Sequence, residues 1–210
     1  MRMMGRLGFK NPALPAIVAP FATNFNESFV TVKIEHKDEV TIVTIDRPER
    51  RNAVDGETAR ALADAFAAFD ADDTKKVGIL TGSSGAFCAG ADLKAVASGE
   101  GANPVTMPKV GDEFDRLDLG PMGPSRFILN KPVIAAIEGH AVAGGLELAL
   151  WCDIRVMAQT AYMGVFCRRW GITLMDGGSV RLPRLVGQGK ALEIALTGRN
   201  VEAEECYRIG

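Results

Sequence analysis

Histidine is nearly absent, with two in 210 residues (His36 and His140), so no histidine-rich metal cage can be assembled. Cysteine is also sparse. Cys88, Cys152, Cys167 and Cys206 include no C-x-x-C pair, and three of the four lie in apolar stretches, which is the pattern of buried reduced thiols in an intracellular protein. Charge of one sign is missing too: Lys+Arg 24 against Asp+Glu 26 leaves −2, with no overall pull toward nucleic acid or an anionic membrane. No apolar run approaches the roughly 20 residues that cross a bilayer. A hydrophobic share of 47% with 24% charged residues excludes global disorder and fits one globular domain. Glycine, by contrast, is plentiful at 23, which points to tight turns and close backbone approaches.

Residues 1–26 form an expected N-terminal extension. Arg2, Arg6 and Lys10 with no acid before Glu27 give it the charge of a mitochondrial targeting segment, while Pro12, Pro15 and Pro20 break any long amphipathic helix. The compartment is therefore expected to be cytoplasmic, or mitochondrial if the leader directs import. Residues 27–210 form the expected domain.

From Val30 the chain alternates with a period of two, then turns at Lys37-Asp38-Glu39 and alternates again over Val40–Ile45, a hairpin. Asp55 is placed to cap an alanine-rich helix with Leu62, Phe66 and Phe69 on one face. Strands are expected at Val77–Leu80, Val133–Ile137 and Ile154–Met157, a long irregular loop over Ser98–Gly111, and a helix opening at Gly144-Gly145. Strands alternating with helices make the fold class α/β.

The segments that carry chemistry are two glycine-flanked loops, Ala86–Lys94 and Gly139–Glu147, each between a strand and a helix. Unpaired backbone N–H groups emerge at such places and polarise an anion or a carbonyl oxygen. Two such loops can supply one donor each, the layout of an oxyanion hole. Glu147 lies in Gly145-Leu146-Glu147-Leu148-Ala149-Leu150-Trp151, and its neighbours at helical spacing are uncharged. It is either a solvent-face glutamate or a desolvated acid/base, and the apolar face favours the second. No P-loop, nucleophile elbow or dinucleotide fingerprint is present.

Phe87-Cys88-Ala89-Gly90-Ala91-Asp92-Leu93-Lys94, Lys131–Gly139, Glu147–Arg155, Arg181–Gly187 and Ala191–Gly198 strongly resemble the enoyl-CoA hydratase/isomerase (crotonase) superfamily. The resemblance runs from about Val30 to Gly210. It implies a spiral of repeated ββα units, an acyl-CoA thioester substrate and an enolate held by the N–H groups of Ala91 and Gly144. It also implies CoA contacts around Arg51 and Ala53, with Asp92, Leu93 and Lys94 lining the same groove; a solvated basic patch is the other reading of Arg50-Arg51. Coenzyme A would enter as part of the substrate, with no separate cofactor and no metal, and the partners expected are the acyl-CoA and further copies in a homotrimer or hexamer. The family's C-terminal helices are expected to be missing, leaving apolar surface exposed at that edge.

The pattern departs from the hydratases at one point. Their second glutamate would fall at Cys167, and a neutral thiol is a poor acid/base. Asp176, in Leu174-Met175-Asp176-Gly177-Gly178, either takes that role or caps the helix that follows. The sequence thus implies a hydratase-like enzyme. The alternatives are an isomerase using Glu147 with Asp176 and a non-catalytic acyl-CoA-binding homologue. A serine peptidase of related fold lacks the residues it needs.

Overall fold

The computed structural model describes residues 31–210. The N-terminal extension, its targeting character and Val30 lie outside the described residues. The hairpin forms as its alternation dictates: β1 (Val32–Lys37) pairs antiparallel with β2 (Val40–Ile45). Asp38 makes the turn at φ 48°, a left-handed conformation that Asp tolerates better than most residues. In β2 the inward residues Thr41, Val43 and Ile45 are buried. Strand β1 departs from the expected half-buried pattern, because beyond Val32 it is exposed, Ile34 included. It is the sheet edge, bonded only to β2, so its outer residues have no second strand to bury them.

Helix α1 (Gly56–Ala71) starts at Asp55, whose carboxylate accepts from the Thr58 amide at 2.9 Å. Its apolar face drives Leu62, Phe66 and Phe69 into the core, where Phe66 meets Trp151 edge-on at 5.0 Å. β3 (Val77–Gly82) and α2 (Leu93–Ser98) follow, and then β4 (Val133–Ile137), β5 (His140–Val142) and α3 (Gly144–Trp151). β6 (Ile154–Met157), β7 (Tyr162–Gly164), α4 (Gly178–Val186), α5 (Gln188–Thr197), β8 (Val201–Glu202) and α6 (Ala203–Ile209) complete the order. One five-stranded sheet runs β1-β2-β3-β4-β6 and a three-stranded sheet runs β5-β7-β8.

The spiral lies in how these sheets share strands. β4, β5 and α3 make one unit, with a strand in each sheet followed by a helix; β6, β7 and α4 repeat it. β3 begins the same path, since Cys88 bridges in parallel to Ala141 of β5 before α2 starts. This is the repeated ββα architecture that the resemblance implies. The long connection from α2 to β4 has only 3-10 turns at Gly111–Glu113 and Pro124–Arg126. Buried Asp70 ties it to α1, accepting from Arg116 at 2.7 Å and from the Asn130 amide at 2.8 Å. At the other end, Arg199 bonds both Glu193 and Glu205, joining α5 to α6.

Candidate active site

Two loops meet because glycine lets them. Gly90 has φ 97°, and a Cβ there would lie 2.9 Å from the Gly144 nitrogen. A Cβ on Gly145 would lie 2.2 Å from the Cys88 carbonyl oxygen, so the first turn of α3 rests on the backbone of the first loop. The loops are stitched by Cys88 N–H to His140 O at 3.0 Å and Val142 N–H to Cys88 O at 3.0 Å. A third segment joins them: Ala89 N–H donates to Arg51 O, and Val54 N–H to Gly90 O. Buried Asn52 fastens that segment, donating to the carbonyls of Ser83 and Ala86. Through all this bonding, the N–H groups of Ala91 and Gly144 donate to no acceptor among the described residues. Both residues line the same cleft. Ala91 lies just ahead of the α2 cap, and Gly144 is the first residue of α3, so the α3 dipole adds to its donor.

The carboxylates lie beneath. Glu147, on the first turn of α3, is 3% exposed, which rules out the solvent-face reading. Its Oε1 accepts from the amides of Asp176 at 2.9 Å and Gly178 at 2.8 Å. Burial first, and then the negative charge of Asp176, push its carboxyl up to about 7. Asp176 is 4% exposed. Burial raises its carboxyl as well, while hydrogen bonds from Ser125 and the Met122 amide and the charges of Arg126 and Arg181 act against that rise. Its Oδ1 accepts from the Met122 amide at 2.9 Å and from the Ser125 hydroxyl. The second oxygen of each acid, Oε2 and Oδ2, takes no hydrogen bond and is not sealed from solvent.

Asp176 does not cap the following helix. The cap position of α4 is Gly177, with no side-chain bond, because the Asp176 carboxylate is turned away to the 122–125 turn. Arg168 and Arg169 do not pair with it either; Arg169 stacks 3.5 Å over Phe166 and donates to Gly198 O.

The cleft has a volume of about 540 Å³ and brings together Arg51, Ala91, Leu93, Gly144, Glu147 and Asp176. Three of the expected groove residues are not in its lining. Asp92 is buried, capping α2 through the Lys94 amide and pairing with Arg47 at 3.2 Å. Ala53 is buried beside Arg47, to which its carbonyl is bonded, and Lys94 is exposed on the first turn of α2. Cys167 does line the cleft, and burial together with the Glu147 charge raises its thiol, so it stays neutral. Met122, His140, Tyr162, Phe166 and Trp170 also line it without having been singled out. Tyr162 and Phe166 are apolar residues of ordinary spacing, and Met122 belongs to an aperiodic turn, so only His140, one of two histidines, carried any signal. No group of three or more metal-ligating side chains occurs among the described residues.

The sequence profile of the enoyl-CoA hydratase/isomerase family matches residues 35–210. The enoyl-CoA hydratase EchA19 of Mycobacterium tuberculosis is 38% identical over 191 residues, covering 88% of this chain and 67% of its own length. Among solved structures, the enoyl-CoA hydratase EchA1 of Mycobacterium marinum is 42% identical with a TM-score of 0.76, over 86% of this chain and 66% of that one. The carnitinyl-CoA hydratase of Mycobacterium avium is 34% identical with a TM-score of 0.76, over 87% and 67%. The chain therefore spans about two thirds of the length of these relatives.

Proposed function

The chain belongs to the enoyl-CoA hydratase/isomerase family, and from that premise we propose that it is a hydratase-like enzyme acting on acyl-CoA thioesters. One observation carries the reading: two free backbone N–H groups and two buried carboxylates, each with one unbonded oxygen, share a single cleft. The thioester oxygen sits against Ala91 and Gly144 N–H, which oppose the charge that develops there as the enolate forms; losing one such donor costs on the order of 100- to 1000-fold in rate. Glu147 and Asp176 handle the protons. Water adds across the conjugated double bond, with oxygen joining the β-carbon and a proton the α-carbon. One acid of the pair takes the proton that water gives up and the other supplies the proton for the α-carbon. Arg51 and Leu93 line the same cleft, which supports assigning them to the CoA portion.

Coenzyme A arrives as part of the substrate, and no step of this chemistry calls for a further cofactor or a metal. Bacterial relatives support a cytoplasmic setting, and no helix among the described residues is long and apolar enough to cross a membrane. Assembly as a homotrimer or hexamer belongs to the same proposal.

Cys167 favours a second reading, a 1,3-proton shift, because isomerisation requires one well-placed carboxylate where hydration uses two. Crotonyl-CoA followed by loss of absorbance of its conjugated thioester tests hydration. Turnover supports the first reading. Solvent deuterium entering the α-carbon of an acyl-CoA without hydration selects the isomerase, and CoA-ester binding with neither event selects a non-catalytic binder.

A further inference from the structure

The two carboxylates are held very differently. Glu147 receives only backbone amides, at Oε1, and is touched by no hydroxyl or cationic side chain. Asp176 receives an amide and a hydroxyl at one oxygen, from Met122 and Ser125. Ser125 is fully buried, so its hydroxyl has no water to turn to. The turn that bears both donors is locked in place by Arg181 of α4. Its Nη1 donates to Asp176 O at 2.7 Å and its Nη2 to Ser125 O at 2.8 Å, so one guanidinium bridges the two segments. It makes no ion pair among the described residues, and its positive charge falls on both Glu147 and Asp176 beside it. The other groups facing the pair are Arg126, itself matched by Asp118 at 3.7 Å, and the neutral Cys167 thiol.

We propose that Ser125 and Arg181 are positioning residues that keep Asp176 ionised and so leave the one proton of the carboxylate pair on Glu147. The inference rests on the functional reading above and makes it specific. Donors aimed at Oδ1 favour a charged Asp176, and its charge then disfavours a second charge at Glu147. In the resting enzyme Asp176 is the base and Glu147 the acid. During hydration the water proton passes to Asp176 as the carbon–oxygen bond forms at the β-carbon. The Glu147 proton forms the carbon–hydrogen bond at the α-carbon, and solvent exchange then returns the pair to its starting charge. The direction of the shifts agrees: burial raises both acids and backbone amides oppose both rises, but only Asp176 also has a hydroxyl acting against its rise, and only Glu147 is raised further by its neighbour's charge.

The test is a carbon-13 titration of the side-chain carboxyls in the whole chain, assigned with E147Q and D176N. In the wild type Asp176 should ionise first and Glu147 last. In S125A, and in S125C, which keeps the volume but donates weakly, the Asp176 midpoint should rise and the Glu147 midpoint should fall. S125T should restore the wild-type order, and a mere loss of stability would not move two midpoints in opposite directions. In turnover, the limb of the pH profile set by Glu147 should move to lower pH in S125A, with kcat changing more than KM. Unmoved midpoints in both S125A and S125C overturn the proposal. If the midpoints move as stated while the wild type neither hydrates crotonyl-CoA nor exchanges α-protons, the functional reading fails and the clamp stands.

Discussion

At Glu147, burial and the neighbouring Asp176 charge act in the same direction, and the carboxyl rises from 4.5 to about 7. The folded value lies above the unfolded one, so the native state keeps a proton that the unfolded chain has already lost in that interval. Stability therefore falls as pH rises from 4.5 to about 7, and the full penalty, on the order of 3 kcal/mol, is present above that window. E147Q removes the titration, so its urea midpoint should exceed that of the wild type on the alkaline side and match it on the acid side. The same substitution should lower α-proton exchange by about 100- to 10,000-fold, the usual worth of a general acid or base. D176N should reduce hydration by a similar factor; full activity in that variant would leave Asp176 a structural anchor. Glu147 was legible because a carboxylate amid Leu, Ala and Trp has few bland explanations. Asp176 was legible only as a choice between cap and catalyst, since its partners Met122 and Ser125 lie more than 50 residues away in an aperiodic turn.

Helix α3 owes its place to its first two residues. In G145A the new Cβ would strike the Cys88 carbonyl, which is backbone and cannot yield cheaply, so α3 should be pushed off the first loop. We expect turnover to collapse, with a stability loss of about 1–3 kcal/mol in denaturant titrations. Gly189, also helical but with open space where its Cβ would stand, is the control; G189A should be neutral or stabilise by about 0.5–1 kcal/mol. The α2–β4 connection depends instead on Asp70. D70A should cost about 1–3 kcal/mol, because the Asn130 amide and Arg116 lose their acceptor together. The hairpin, α1 and the main strands followed from period and caps alone. The turns at Gly111–Glu113 and Pro124–Arg126 did not, since they carry no periodicity; the second takes its shape from Asp176 and Arg181, far along the chain.

For the molecule as a whole, family membership was readable from collinear motifs, whereas the ββα spiral was not readable as a repeat. Its units share a backbone path through two sheets and no common sequence period. A groove of about 490 Å³ lies among α3, β6, α4 and α6, with Ile154 54% and Tyr207 90% exposed. Such a surface should bind the dye ANS in the native state, and I154K with L185E should weaken the fluorescence; a silent wild type would mean the groove is covered in solution. The cleft and the carboxylate pair lie elsewhere, so the proposed chemistry stands apart from this groove. That chemistry reduces to one claim, that Glu147 moves a proton at the α-carbon of a CoA thioester held by Ala91 and Gly144. Deuterium exchange at the α-carbon of an acyl-CoA, compared between the wild type and E147Q with CoA-ester binding measured alongside, tests it most directly. We expect exchange in the wild type and its loss in E147Q with binding intact; equal exchange in both would contradict the claim.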